Sequence, residues 1–398
     1  MNFRYDVLGF YEHGMANLEI IFWLCFFSIL YPYLGYPFFL LVLSTIRNKP
    51  VKKENISPFV SLVISAYNEE KIIAKKIENS LQLDYPEDRL EIAVISDGSL
   101  DTTNNIITEY AKRDHRIRPC ISPVNKGKTS CLNDFVPLLK GEVILFTDAN
   151  SLFDAGAIYN IVRPFADPVV GFVTGITKYF TLSKGQETKA INIYSRLELL
   201  IKYLESKIGS CVGADGAIFA IRKNLFVPMN PHDINDLVIP MSIIKQGYRG
   251  IVEKDAFCRE KAADELEGEF NRQVRITART LRAIFNHNSL LNPFNYPVFS
   301  FEIFSHKLMK FTTPFWIIVI FITNIYLAGQ DILFYQFVMA LQLLFYLSAV
   351  AGFFIKSNSR KARLINLTSS YFLVNLAYTF GWFKYFSKET YTYWVPER

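Results

Sequence analysis

Two rhythms of hydrophobic and polar positions divide the chain. Four long runs carry no charged residue: Ile20 to Ile46, Phe311 to Gly329, Ile332 to Ile355 and Leu364 to Phe383. A helix needs about 20 apolar residues to cross a bilayer, and four such runs in one chain argue for membrane spans over buried core helices. Pro32 and Pro37 should kink the first. From Pro58 the texture changes to short apolar runs alternating with amphipathic stretches. "FVSLVISA" (from Phe59), "LEIAVISD" (from Leu90), "IRPCISP" (from Ile117), "VILF" (from Val143) and "VVGFVTGI" (from Val169) read as strands separated by helices. That alternation predicts an α/β domain of βα units around a mostly parallel sheet.

Charge orients the spans. Arg47, Lys49, Lys52 and Lys53 follow the first run, and the loop from Lys356 to Arg363 carries four more basic residues, whereas Gly329-Gln330-Asp331 has none. Basic loops stay in the cytoplasm. The expected protein is therefore a multi-pass resident of the cell membrane, with both termini outside and residues 47–310 in the cytoplasm. The first span starts far from the N-terminus and lacks a small-residue cleavage site, so it reads as an anchor and not as a removed signal peptide. The expected organisation is an anchor and basic linker at 1–57, an α/β domain at 58–262, interfacial amphipathic helices at 263–310 and three further spans at 311–398.

Composition agrees: 51% of the 398 residues are hydrophobic and 15% aromatic, high for a soluble protein. The net charge of +6 is spread in short clusters beside apolar runs, which suits membrane lipids and excludes nucleic acid as a partner. Five scattered cysteines and five histidines without ligand spacing indicate neither a disulfide framework nor a zinc site.

Ligands of open α/β sheets bind beyond the carboxyl ends of the strands, and Asn68, Glu69, Asp97 and Asp148 all fall on such ends. One site built from three strand tips follows. Asn68 and Glu69 also suit capping of the next helix, and Asp101 or Thr102 suits capping of the one after "SDGSL". "GKT" at Gly127 to Thr129 is not a P-loop, because position 122 holds serine where the motif needs glycine. A lysine at a helix start can still meet a phosphate.

In order, "SAYNEE", "SDGSLDTT", "NKGK", "TDAN", "GADGAIFAIRK" and "INDLVIP", flanked by spans, resemble the membrane-bound inverting glycosyltransferases of family 2. That group includes poly-N-acetylglucosamine, hyaluronan, chitin and cellulose synthases. The resemblance covers nearly the whole chain, including "YPYLGYP" and "FSHKLMKF". It implies a GT-A fold that binds a UDP-sugar, with UDP-N-acetylglucosamine as first choice. Ala66, Tyr67, Asn68 and Glu69 would line the nucleotide, Asp97 would accept a hydrogen bond from uracil, and Lys128 would approach the nucleotide. Asp148, with Asn150 as a softened second position, would hold Mn2+ or Mg2+ against the diphosphate; such an ion takes oxygen ligands and keeps several waters. Gly213, Ala214, Asp215 and Gly216 would surround the acceptor. The general base of the family is the aspartate of a Glu-Asp pair, here Asn235-Asp236, so Asp236 is the expected base, with Asp233 as rival. Asp236 also suits an N-cap for "LVIPMSIIKQ".

The chain departs from the family at QxxRW. "RQVRI" puts Arg272 in place of glutamine, keeps Arg275 and replaces tryptophan by Ile276. Both arginines are expected on the donor diphosphate, whereas the stacking platform for an acceptor sugar is lost. Arg279 and Arg282, on the same helical stripe, are expected on lipid headgroups. The reading is a synthase of a β-linked polysaccharide coupled to export, through an oligomer or an export partner. Its alternatives are transfer of one sugar to a lipid-linked acceptor and, from another class, a membrane transporter or receptor that only binds nucleotide.

Overall fold

The computed structural model describes residues 2–183, 186–189, 193–261, 266–354 and 360–390. Two compact units emerge. One comprises Phe39–Glu265, Arg279–Ile303 and Glu389–Arg398, the other Met1–Phe38, Leu266–Ala278 and Phe304–Lys388.

In chain order, α1 (Asn2–Leu30) and α2 (Tyr36–Ile46) flank a π-helical turn, Tyr31–Gly35, that contains Pro32. A strand and helix alternation follows: β1 (Val60–Ala66), α3 (Ile73–Leu81), β2 (Leu90–Asp97), α4 (Thr103–Arg113), β3 (Ile117–Ser122), α5 (Lys128–Phe135), β4 (Val143–Asp148). Next come β5 (Leu152–Phe153), α6 (Ala157–Val162), β6 (Val170–Ser183), β7 (Gln186–Lys189), α7 (Ile193–Ile208), β8 (Phe219–Arg222), α8 (Asn235–Lys245) and β9 (Arg249–Lys261). The C-terminal helices are α9 (Leu266–Asn286), α10 (Pro297–Ile303), α11 (Met309–Ala328), α12 (Leu333–Phe354) and α13 (Arg360–Phe386).

The sheet unit carries the strands in the order β3-β2-β1-β4-β8-β6-β9-β5, with β7 paired to β6. β1 to β4 are parallel, β8 is antiparallel to both β4 and β6, and β6 runs parallel to β9. Every residue of β1 and β2 is buried, as expected of central strands covered on both faces. Leu62, Ile64, Ile92, Val94 and Leu145 form the core with Ile73 and Ile77 of α3 and Ile158 and Ile161 of α6. The parallel register sets Ser65 beside Asp148, Ala66 beside Ser96 and Asp97 beside Ser122, so the strand tips end level.

The mostly parallel expectation holds for the first four strands, and beyond them the sheet is mixed. β8 is four residues inside "GADGAIFAIRK", and β9 alternates buried and exposed positions irregularly. Neither leaves a clear period of two.

Within the helical unit, Phe22 and Cys25 of α1 pack with Ile320 and Leu327 of α11 and Tyr335 of α12. Ser369 Oγ donates to the Ala349 carbonyl (2.7 Å), Asn324 Nδ2 to Gln342 Oε1 (2.7 Å) and Trp382 Nε1 to the Phe311 carbonyl (2.9 Å). Small residues and polar pairs of this kind hold helices together in lipid.

Among the described residues three helices are long and apolar enough to cross a membrane: Gly14–Ile46, Pro297–Ala328 and Leu333–Phe354. This revises the expected four. The run Leu364 to Phe383 does form most of α13, but Asn366, Thr368, Ser369, Ser370, Asn375 and Thr379 dilute its hydropathy. The stretch Pro297–Ala328 is helical throughout, with a π-helical turn at Phe304–Leu308, and runs across the expected boundary at residue 310. Lys356 to Ser359 of the second basic loop and the expected boundary at 262–263 lie outside the described residues.

Candidate active site

The tips of β1 and β2 are laced together. Asn68 adopts a left-handed φ of 53°. Its backbone N–H donates to Ser99 Oγ (3.1 Å), and its Oδ1 accepts the Leu100 N–H (2.8 Å). Glu69 is buried, and its N–H donates to Thr103 Oγ1 (2.8 Å). The N-cap of α3 is Ile72, without a side-chain bond. Asp101 does cap α4, accepting the Thr103 N–H at 3.0 Å. Ala66 is buried, Tyr67 half-buried and Asn68 exposed at this mouth.

Asp97 is almost fully buried. Its Oδ1 accepts the Lys126 N–H (2.8 Å) and the Cys131 thiol (3.2 Å), and its Oδ2 the Gly127 N–H (2.9 Å). It therefore fixes the turn that starts α5, so whatever it offers a base is limited to what those bonds leave. α5 then delivers Lys128, whose Nζ donates to Asp148 Oδ1 at 2.6 Å.

Asp148 is half-buried at the end of β4, and Asn150 is exposed two residues on. Among the described residues no group of three or more His, Cys, Asp or Glu side chains could cage a metal. An ion that arrives with a diphosphate needs only one or two protein oxygens, the phosphates and waters supplying the rest. The donor set of one carboxylate and one amide fits that kind of ion and not an all-protein cage.

Asp236 lies across from this tip, in the first turn of α8. The N-cap is Ile234, again without a side-chain bond, so the capping role expected for Asp236 is not observed. Its backbone carbonyl accepts the Ala214 N–H (2.7 Å), and its buried Oδ1 has no hydrogen-bond partner. Gly216 makes room for it, because a Cβ there would sit 3.0 Å from Asp236 Oδ2. Gly213 holds a left-handed φ of 80° at the start of the same loop. Burial pushes the Asp236 carboxyl above the usual carboxylate range; Lys128, Lys202 and Arg279 pull it back, and Asp148 pushes it further up. Those four groups are thus within electrostatic reach of one carboxylate.

The neighbours behave differently. Asp233 is buried, and its Oδ2 accepts the Asn230 N–H (2.9 Å) and Nδ2 (3.3 Å). It closes a turn and is not placed to serve as a base. Asp215 ties its loop to β6, accepting from Thr177 N–H (3.0 Å), Thr177 Oγ1 (2.8 Å) and the Ala217 N–H (3.2 Å). Arg279 departs from the headgroup reading: its guanidinium donates to the carbonyls of His232 and Asp233, and Thr129 Oγ1 also donates to the latter (2.8 Å). Arg282 likewise donates to the Glu389 carbonyl (2.6 Å). Arg272 and Arg275 lie on the part of α9 that belongs to the helical unit, where Arg272 Nε pairs with Glu269 Oε2 at 2.8 Å.

Lys202 and Lys76 belong to no motif of the sequence. Lys202, on α7, donates to the Ala214 carbonyl (3.1 Å) in the Gly213–Gly216 loop. Lys76 occupies an apolar register position of α3, in line with Ile73, Ile77 and Ser80, and is fully buried. A lysine in the middle of a buried stripe was the signal available. Burial drives its pKa from 10.5 down to about 7, against the pull of Cys258, Asp148 and Glu260.

Residues 61–226 match the family model described as Glycosyl transferase family 2. Over 170 residues the chain is 31% identical to a β-monoglucosyldiacylglycerol synthase of Trichormus variabilis, an overlap covering 42% of this chain and 36% of that one. Over 225 residues it is 26% identical to a poly-β-1,6-N-acetyl-D-glucosamine synthase of Staphylococcus epidermidis, covering 54% and 53%. The chain thus spans between about a third and a half of the length of these curated relatives. Among solved structures, mannosyltransferase PcManGT from Pyrobaculum calidifontis, in complex with GDP-Man and Mn2+, superposes with a TM-score of 0.72 over 94% of this chain and 99% of its own. At 19% identity that likeness is one of fold. The βα tips that carry Asn68, Asp97 and Asp148 fall inside the matched segment, and the chain accordingly carries a family 2 glycosyltransferase domain, residues 61–226, on a GT-A fold.

Proposed function

We propose that the protein is an inverting hexosyltransferase of the cell membrane that uses a UDP-sugar, with UDP-N-acetylglucosamine as first choice, to extend a β-linked polysaccharide on the cytoplasmic side. The observation that carries the reading is the meeting of three features: Asp148 with its lysine partner, a turn held by Asp97, and the half-buried carboxylate of Asp236, whose Oδ1 is buried without a hydrogen-bond partner. Asp148, with Asn150 beside it, would hold Mn2+ or Mg2+, whose chemistry is to neutralise the departing diphosphate. Lys128 adds positive charge at the same place, and Arg275 and Arg272 are assigned to the diphosphate by their motif register. Asp236 accepts the proton of the acceptor hydroxyl as the anomeric bond forms; its raised pKa makes it a stronger base than an ordinary carboxylate. The Gly213 to Gly216 loop borders the acceptor and keeps bulk away from that carboxylate.

The likeness to a poly-β-1,6-N-acetyl-D-glucosamine synthase supports a polymer product. A second reading, addition of one sugar to a lipid acceptor, is favoured by the likeness to a β-monoglucosyldiacylglycerol synthase and by Ile276 in the place of the acceptor-stacking tryptophan. The three apolar spans among the described residues are few for a polymer channel within one chain, so the polymer reading includes an oligomer or an export partner. The domain plan of anchor, catalytic unit, interfacial helices and C-terminal spans, with residues 47–310 in the cytoplasm, is part of the proposal.

The test is UDP release by protein purified in lipid, with UDP-sugars and Mn2+, followed by sizing of the product. A long glycan supports the polymer reading, and a single glycosylated lipid supports the second. Turnover of no UDP-sugar overturns both.

A further inference from the structure

α3 reaches under the turn that carries Asp148 and Asn150. The Lys76 ammonium donates to Thr147 Oγ1 (3.1 Å) on the strand side of that turn and to the Ser151 carbonyl on its exit side. Its third direction faces the Phe153 ring, with 4.0 Å to the centroid. One turn along α3, Asn79 continues the grip: its Nδ2 donates to the Phe153 carbonyl (3.0 Å) and its Oδ1 accepts the Phe153 N–H (2.8 Å). The start of α3 is in turn bonded to the β1 tip, where the Glu69 carbonyl accepts the N–H groups of Ile72 and Ile73 (3.0 and 2.9 Å).

A fully buried lysine is costly unless its charge is met by specific partners, and an apolar residue would complete the stripe of Ile73 and Ile77 without that cost. Both hydrogen bonds go to residues immediately flanking Asp148-Ala149-Asn150, and neither goes to the carboxylate itself. We infer that Lys76 is a positioning residue: it clamps the two ends of the Asp148–Asn150 turn so that Asp148 is presented at a fixed height to a divalent cation carried by a nucleotide diphosphate. The inference rests on the function proposed above and adds to it a residue that touches neither metal nor substrate. Its chemistry makes a distinct demand. Removing the clamp leaves Asp148 and Lys128 in place but lets the turn relax, so affinity for the ion falls while the rest of the nucleotide site persists.

The experiment measures binding, not turnover. Mn2+ is titrated into full-length wild type and Lys76→Met in the presence of saturating UDP, with bound ion read by the loss of the free Mn2+ paramagnetic resonance signal and folding checked by circular dichroism. Methionine keeps the length and bulk of the side chain and deletes both hydrogen bonds. The expected result is a rise of tenfold or more in the Mn2+ concentration for half-saturation in a folded variant. Unchanged Mn2+ affinity in a folded variant overturns the inference and leaves the proposed function standing. Should Lys76→Met not fold, Thr147→Val, which deletes one arm of the clamp, decides: a several-fold rise supports the inference and an unchanged value overturns it. A wild type that binds no Mn2+ with UDP defeats the proposed function, and the inference with it.

Discussion

Replacing Gly216 with alanine separates the placement of Asp236, the proposed base, from the stability of the fold. The new methyl carbon would stand 3.0 Å from Asp236 Oδ2, about 0.4 Å short of an ordinary contact at 3.4 Å. Gly216 does not adopt a left-handed φ, so the backbone itself tolerates alanine. What must yield is the carboxylate, and it is free to do so because Asp236 Oδ1 has no hydrogen-bond partner to hold it. A misplacement of 1 Å costs on the order of 100-fold in rate; scaled to 0.4 Å, the expected loss in kcat is roughly 5- to 10-fold. Over the same change, Gly→Ala at a compatible site adds about 0.4 to 1 kcal/mol by restricting the unfolded chain. The signature is therefore a slower enzyme that melts no earlier than wild type. Initial rates of UDP release at saturating donor, paired with thermal unfolding, read both halves. An unchanged kcat refutes the claim that Gly216 makes room for the catalytic carboxylate, and a lost kcat with an early melt assigns Gly216 to folding of the loop instead.

Other outcomes follow from the same geometry. Asp236→Asn should lower kcat by roughly 10²- to 10⁴-fold, the range for a removed general base. In the wild type the acid limb of kcat should lie above the usual carboxylate range, because the base must be deprotonated and its folded pKa is raised; Lys202→Met should move that limb to higher pH by removing a charge that holds it down. Asp148→Ala should abolish the steep dependence of UDP release on Mn2+ or Mg2+, and metal-independent turnover by the wild type would contradict the role given to that turn. Asp233→Ala, which strands the Asn230 N–H, should cost about 1 to 2 kcal/mol in unfolding experiments while leaving kcat per folded molecule within threefold. For Lys76 the folded pKa of about 7 lies below the unfolded 10.5, so the unfolded chain binds more protons between them and stability rises with pH. From pH 7 to 9 the wild type should gain about 2 kcal/mol relative to Lys76→Met, and a flat difference in unfolding free energy would show that Lys76 is not desolvated as described.

The amino-acid sequence by itself determined the two-part plan and which polar residues stand at the strand tips. Uncharged runs as long as Ile20 to Ile46 are long and apolar enough to cross a bilayer, and the buried runs ending in Asn68, Asp97 and Asp148 announce βα tips because both faces of a central parallel strand must be apolar. Local patterns of this kind are physical constraints on neighbouring residues, so they survive without knowledge of the fold. Tertiary structure decided what distant residues do to one another. Asp233 and Asp236 differ by three positions, yet one closes a turn on Asn230 and the other is left desolvated beside Gly216; no pattern of types separates them. Asp97 turned out to be spent largely on the amides that launch Lys128, and Arg279 on the His232–Asp233 turn in place of lipid, since a charged group bonds whichever carbonyl or amide the packing brings to it. β8 and β9 escaped prediction because a four-residue strand and an irregular edge carry no period of their own. Lys76 is the sharpest case. In the sequence it is a lysine interrupting an apolar stripe, and only the closure of α3 onto the end of β4 brings it to Thr147 and Ser151, the two ends of the Asp148–Asn150 turn.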